Sequence, residues 1–148
     1  MTAQMTVVAD DDTQRLQWME YIEETCEDYG ICPELIESII YYESNWNPNE
    51  VSSTGAEGLM QIKPQFNTER MERLGLTDLT DPYQSILCGI DLIASYQSRG
   101  MEVYEALVIY RYGEYSTQYE MWKLYGGSIT YADRVLAYSA ELEVEHGK

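Results

Sequence analysis

From Leu16 to Leu142, apolar side chains return at steps of three and four residues, and no stretch sustains the alternation of a half-buried strand. A chain patterned this way can bury its apolar surface only by packing helices together, so it is expected to be mainly α-helical. Its 148 residues suffice for one domain with a real core. Asp12 or Thr13 is placed to cap a first helix reaching about Asp28, with Leu16, Met19, Ile22 and Cys26 inward and Gly30 as its stop. Pro33 suits the first turn of a second helix that buries Leu35, Ile36, Ile39 and Ile40 and is ended by Asn47-Pro48. A loop rich in Ser, Thr and Gly, Val51 to Gly58, leads to short helical segments expected over Leu59–Lys63 and Thr68–Leu74.

Asp81-Pro82 opens the next helix, carrying Ile86, Ile90 and Ile93 up to Gly100. Val103, Leu107 and Tyr110 mark a fifth helix ending near Gly113. Periodicity weakens from Tyr115 to Tyr125, and Tyr131, Val135, Tyr138 and Leu142 define the last helix. Residues 1–12, ending in three aspartates, are expected as a flexible tail and residues 13–148 as the folded domain.

Charge excludes some functions. Nine basic against 26 acidic residues give a formal net charge of −17. Nucleic acid is excluded as a partner because its binding needs Lys and Arg to neutralise phosphates, and anionic membranes are disfavoured likewise. No apolar run approaches the ~18 residues of a membrane span. Met1 to Asp12 lacks the basic and apolar regions of a signal peptide. Cys26, Cys32 and Cys88 form no metal-binding pattern; the first two are spaced compatibly with a disulfide, and the odd count leaves a thiol over. Fourteen tyrosines and three tryptophans supply rings that can fill a core or grip the apolar faces of sugars.

One acid departs from the polar faces. Ile36, Ile39, Ile40 and Glu43 fall three, four and seven positions apart, so Glu43 continues the apolar stripe. It also sits in the last helical turn, at the negative end of the dipole. Desolvation and the dipole both oppose ionisation, and a carboxylic acid that keeps its proton near neutral pH is what glycosidic cleavage asks of a general acid. The plainer alternative is a helix-end Glu that turns to water or meets a Lys or Arg.

Around it, Glu43-Ser44 is followed by Asn47-Pro48, Ser52, Gly55-Ala56, Gly58-Leu59-Met60-Gln61-Ile62 and Pro64. This order and spacing resemble the signature of the soluble lytic transglycosylases, a branch of the lysozyme-like superfamily. Asp81-Pro82 with Ile86 and Gly89, then Ala106-Leu107 with Tyr110 and Gly113, and finally Tyr131 with Val135-Leu136, resemble later blocks of the family. The resemblance implies a lysozyme-like α domain with a substrate groove, acting as a monomer on peptidoglycan glycan strands at the cell wall or outside the cell, without metal or cofactor. It implies Glu43 as catalytic acid/base, with Ser52, Met60, Gln61, Tyr110 and Tyr131 along the groove. Lys63, where many relatives carry Met, is expected to pair with substrate carboxylates or to lower the Glu43 pKa.

Most glycosidases need a second carboxylate across the scissile bond. Asp78 and Asp81 are the nearest candidates, and helix capping accounts for them. A lone acid suits substrate assistance instead, with the muramic N-acetyl group stabilising the cationic centre and a 1,6-anhydromuramyl end as product. Two alternatives stay open: a hydrolytic muramidase on the same scaffold, and a wall-binding module without turnover. Arg111 and Tyr112, where the resemblance implies Asn-Ala, and Gly127-Ser128, where some relatives have Glu-Thr, are departures from the pattern that bear on substrate preference.

Overall fold

The computed structural model describes residues 10–148, and residues 1–9 of the expected tail lie outside that range. Asp10 to Asp12 are not tail. Asp10 accepts a hydrogen bond from the Thr13 backbone N–H at 2.8 Å, capping α1 (Asp11–Tyr29) ahead of the expected Asp12 or Thr13. Gly30, in the left-handed conformation at φ 70°, ends α1 where its missing Cβ costs least.

After α1 come α2 (Pro33–Ser44), a 3-10 turn (Pro64–Phe66), α3 (Thr68–Leu74), α4 (Pro82–Ser98), α5 (Val103–Tyr112), α6 (Thr117–Tyr125) and α7 (Thr130–Glu145). Among the described residues no strand forms, as the periodicity required. Helix α2 runs through the middle, packed on α1 and α7, while α1 also packs on α4 and α5 on α7. Ile36, Ile39, Ile40, Ile22, Ile90 and Leu107 are fully buried where these helices meet.

Several boundaries and faces differ from expectation. Leu16 is exposed, because Trp18, Ile22 and Cys26 set the inward stripe of α1 and turn Leu16 about half a revolution away. Helix α2 stops at Ser44, before Asn47-Pro48, because Asn45 turns left-handed at φ 50°. Leu59–Lys63 is not helical. Gly58 and Gln61 both have positive φ, and the backbones of Glu57 and Ile62 exchange hydrogen bonds of 3.0 and 3.1 Å across a tight turn. Where periodicity was weak, α6 nevertheless forms; it lies on the surface and buries only Tyr119, so it has little apolar stripe to show. All three cysteines are free thiols, so the Cys26–Cys32 disulfide does not form. Among the described residues, no helix is long and apolar enough to cross a membrane.

Candidate active site

The loop joining α2 to the 3-10 turn is tied down at points that fix the surroundings of Glu43. The Ser44 hydroxyl donates to the Leu59 carbonyl at 2.8 Å, and the buried Ser85 hydroxyl accepts from the Met60 N–H at 3.1 Å. Gly58 presses against α4's approach: a Cβ there would stand 1.9 Å from the Leu79 carbonyl oxygen, which no side chain can tolerate. Met60 is fully buried against Gly89, where likewise a Cβ would meet its sulfur at 2.2 Å. Met60 is therefore core, and what it offers the site is its carbonyl oxygen, which accepts a hydrogen bond from the Tyr110 hydroxyl of α5.

Glu43 closes α2 beside this loop. Its side chain keeps only 8% of its exposure, and desolvation pushes the carboxyl up to about 7. One group opposes that rise. Arg111 of α5 holds a terminal guanidinium nitrogen 3.7 Å from a Glu43 oxygen, a loose ion pair beyond hydrogen-bonding reach. Lys63, expected near this carboxyl, instead lies with its ammonium 6.0 Å from the Phe66 ring and does not act on Glu43. The Glu43 charge is felt by Tyr110 and by Tyr131 of α7; both side chains are partly buried and their phenols are held well above the usual tyrosine range, chiefly by desolvation. They stay neutral and add no charge beside the acid. The Tyr131 hydroxyl is buried without a hydrogen-bond partner, and the Arg111 guanidinium lies 5.6 Å over its ring.

Thus Glu43, Tyr110, Tyr131 and the Met60 carbonyl come together, from α2, α5, α7 and the loop. Ser52 and Gln61 serve the loop itself. The Ser52 hydroxyl accepts from the Ala56 N–H at 2.9 Å, and the Gln61 carboxamide donates to the Glu50 and Gly58 carbonyls at 2.9 and 3.0 Å. Arg111 was noted in the sequence only as a departure; nothing in its local pattern places it at Glu43, 68 positions earlier. Asp81 caps α4 by accepting from the Gln84 N–H at 3.0 Å, and Asp78 accepts from the N–H and hydroxyl of Thr80. Neither acts on Glu43.

A surface cavity of about 660 Å³, lined by Pro64, Met71, Leu76 and neighbours, contains none of these residues. At the opposite end of α2, roughly 14 Å from Glu43 along the helix axis, ligand atoms of Cys32, Glu34 and Glu143 lie within 4.8 Å of one another. Glu34 is already neutralised there, by Lys148 at 2.8 Å and His146 at 2.9 Å.

Residues 20–126 match the family model for the transglycosylase SLT domain. The chain is 36% identical over 98 residues to the transglycosylase of enterobacteria phage PRD1, covering 66% of this chain and 36% of that one. It is 38% identical over 86 residues to membrane-bound lytic murein transglycosylase F 1 of Alkalilimnicola ehrlichii, covering 58% of this chain and 16% of the relative. The chain thus spans about a third or less of these curated relatives. In structure it resembles the 70-kDa soluble lytic transglycosylase of Escherichia coli, with a TM-score of 0.73 and 24% identity over 87% of this chain and 24% of the other. At that identity the likeness establishes the fold, the lysozyme-like α architecture. With more than half of its length matched by the family model, the chain belongs to the transglycosylase SLT-domain family.

Proposed function

We propose that this chain is a peptidoglycan lytic transglycosylase in which Glu43 is the only catalytic acid/base. The observation that carries the reading is the Glu43 carboxyl itself, nearly dry at the end of an apolar stripe and pushed up to about 7. At that value it holds a proton to donate near neutral pH and can still give it up during turnover. In the proposed reaction, Glu43 protonates the glycosidic oxygen between N-acetylmuramic acid and N-acetylglucosamine, and the C1–O bond breaks. The N-acetyl oxygen of muramic acid stabilises the cationic C1. Glu43, now a carboxylate, takes the proton of the muramic C6 hydroxyl as that oxygen bonds to C1. The product carries a 1,6-anhydro ring, and no water is consumed.

Two features favour this over hydrolysis. Asp78 and Asp81 each commit an oxygen to Thr80 or Gln84, and among the described residues no carboxylate acts on Glu43 as the partner in two-acid glycosidases does. Tyr110 and Tyr131 flank the acid with neutral, partly buried rings, which suits a water-poor site. Tyr110 positions the Met60 carbonyl, Ser52 and Gln61 hold the loop in shape, and Lys63 stands further along the same loop for carboxylates of the strand. The described residues form the catalytic domain, acting as a monomer at the cell wall. Named relatives are described as membrane-bound or come from a phage, settings in which a wall-cutting domain is carried on a larger protein.

Mass spectrometry of wall digested by the wild type and by Glu43→Gln tests the reading. Anhydro ends, lighter than hydrolysed ends by one water, are expected from the wild type. The variant should lose about 10²–10⁴-fold in rate. Reducing ends only, or undiminished cleavage by the variant, would refute it.

A further inference from the structure

Arg111 lies beside a carboxyl without bonding to it, unlike the cations elsewhere in the fold that do engage one. Arg70, Arg73, Arg99 and Lys148 each donate hydrogen bonds to a carboxylate. Arg111 makes no hydrogen bond among the described residues, although a carboxyl lies beside it. It stands 3.7 Å from Glu43 and over the Tyr131 ring, with 52% of its side chain exposed. A guanidinium offers five N–H donors in a planar fork suited to two carboxylate oxygens at once. Here the fork is open to solvent on one side and borders the acid on the other. Its position also opposes the proposed chemistry, since a cation next to Glu43 favours the ionised form and reduces the fraction of Glu43 that holds a proton to donate.

Both facts have one explanation. We propose that Arg111 receives a carboxylate of the bound glycan strand and, in turning to it, withdraws from Glu43. A strand that brings a carboxylate relieves the acid of its cation; a strand without one leaves the cation in place. Arg111 is then a positioning and specificity-determining residue, selecting strands that carry an acid group near the scissile bond. Two sources share this chemistry: the free carboxylates of stem peptides, and the lactyl carboxylate exposed when the stem is removed. The charged or titratable groups facing Glu43 are Tyr110 and Arg111 from α5 and Tyr131 from α7, and the two phenols remain neutral. Arg111 is therefore the group whose departure changes the field at the acid.

This inference rests on the transglycosylase reading, and its test separates the two. Wild type, Arg111→Gln and Arg111→Lys are assayed on native strands, on strands whose carboxylates have been amidated, and on strands stripped of stem peptides. Wild type is expected to cleave native strands about tenfold better, in kcat/KM, than amidated ones, the value of one charge-assisted contact. Arg111→Gln should erase that preference, and Arg111→Lys should restore part of it. On amidated strands the basic limb of the wild-type rate profile should lie at lower pH than that of Arg111→Gln, because there the cation stays beside Glu43. On native strands the two limbs should coincide.

Preferred cleavage of stripped strands identifies the lactyl carboxylate as the ligand; preferred cleavage of native strands identifies the stem. Equal wild-type cleavage of native and amidated strands, or a preference that survives in Arg111→Gln, overturns the inference while leaving the reaction intact. No cleavage of any strand by wild type overturns the transglycosylase reading and the inference with it.

Discussion

Glu43 and Tyr110 show two ways in which a single side chain can matter at one site. Glu43 has no hydrogen-bonding partner among the described residues, and its character comes from what is missing around it: water. Tyr110 is the reverse, fully committed, its hydroxyl donating to the Met60 carbonyl. Tyr110→Phe removes a buried donor and leaves that carbonyl unpaired, at a cost of about 1–3 kcal/mol. Chemical denaturation should register this loss, and cleavage should fall without the collapse expected of Glu43→Gln. If Tyr110→Phe proved as inactive as Glu43→Gln while fully folded, the hydroxyl would have a direct part in the chemistry. Glu43 was legible in the sequence because a carboxyl three residues after Ile40 must share the face of Ile36 and Ile39. The Arg111 contact was not, because it joins residues far apart in the chain.

At the scale of elements, the loop from Asn45 to Lys63 acts as a rigid wall although it contains no helix. Its shape depends on three small residues. Gly58 lets the backbone pass Leu79, Ser44 holds Leu59, and Ser85 holds Met60. Ser85→Ala would leave the buried Met60 N–H without an acceptor, and a loss of about 1–3 kcal/mol is expected. Because Met60 also carries the carbonyl held by Tyr110, activity should decline along with the melting temperature. An unchanged melting temperature would mean that the loop is held by its other ties. The sequence signalled a turn-rich segment here through its glycines, yet Leu59-Met60-Gln61-Ile62 looked helical. Left-handed Gln61 and the Glu57–Ile62 bridge take the place of a helix there, in a segment tied to α2 by Ser44 and to α4 by Ser85.

At the scale of the whole molecule, pH reaches both ends of α2. Burial pushes Glu37 and Glu43 up to about 7 from the ordinary 4.5, so between those values the folded chain keeps protons that the unfolded chain has released. Their stabilisation is complete below about 4.5 and is lost as pH rises to 7, roughly 3 kcal/mol for each. His146, raised chiefly by its bond to Glu34, loses its contribution in the same direction as pH climbs past its ordinary 6.5. Glu34 has the opposite sign. Despite its burial, Lys148 and His146 hold it down at about 2, so its contribution is lost as pH falls below 4.5. The overall charge of −17 adds self-repulsion as the carboxyls ionise. Thermal stability is therefore expected to peak near pH 5 and to fall by roughly 10–20 °C toward pH 8. Glu37→Gln should flatten that fall by about half. Melting curves that rise or stay level between pH 5 and 8 would contradict the assignment of these burials.

By itself the sequence determined the helical class, the punctuation of α1, α2 and α4 by Gly30, Pro33 and Asp81, the family signature and the identity of the odd carboxyl. All of these are local: a period of 3.6 residues, a cap or a left-handed turn acts within a few positions of its residue. Tertiary structure decided which face of α1 is inward, that Ser52 and Gln61 brace the loop, that Arg111 and not Lys63 borders Glu43, and that the chain's last residues neutralise Glu34. Those outcomes depend on which helices meet. Dryness and charge at a point are sums over neighbours contributed by α2, α5, α7 and the intervening loop, and no stretch of chain contains them.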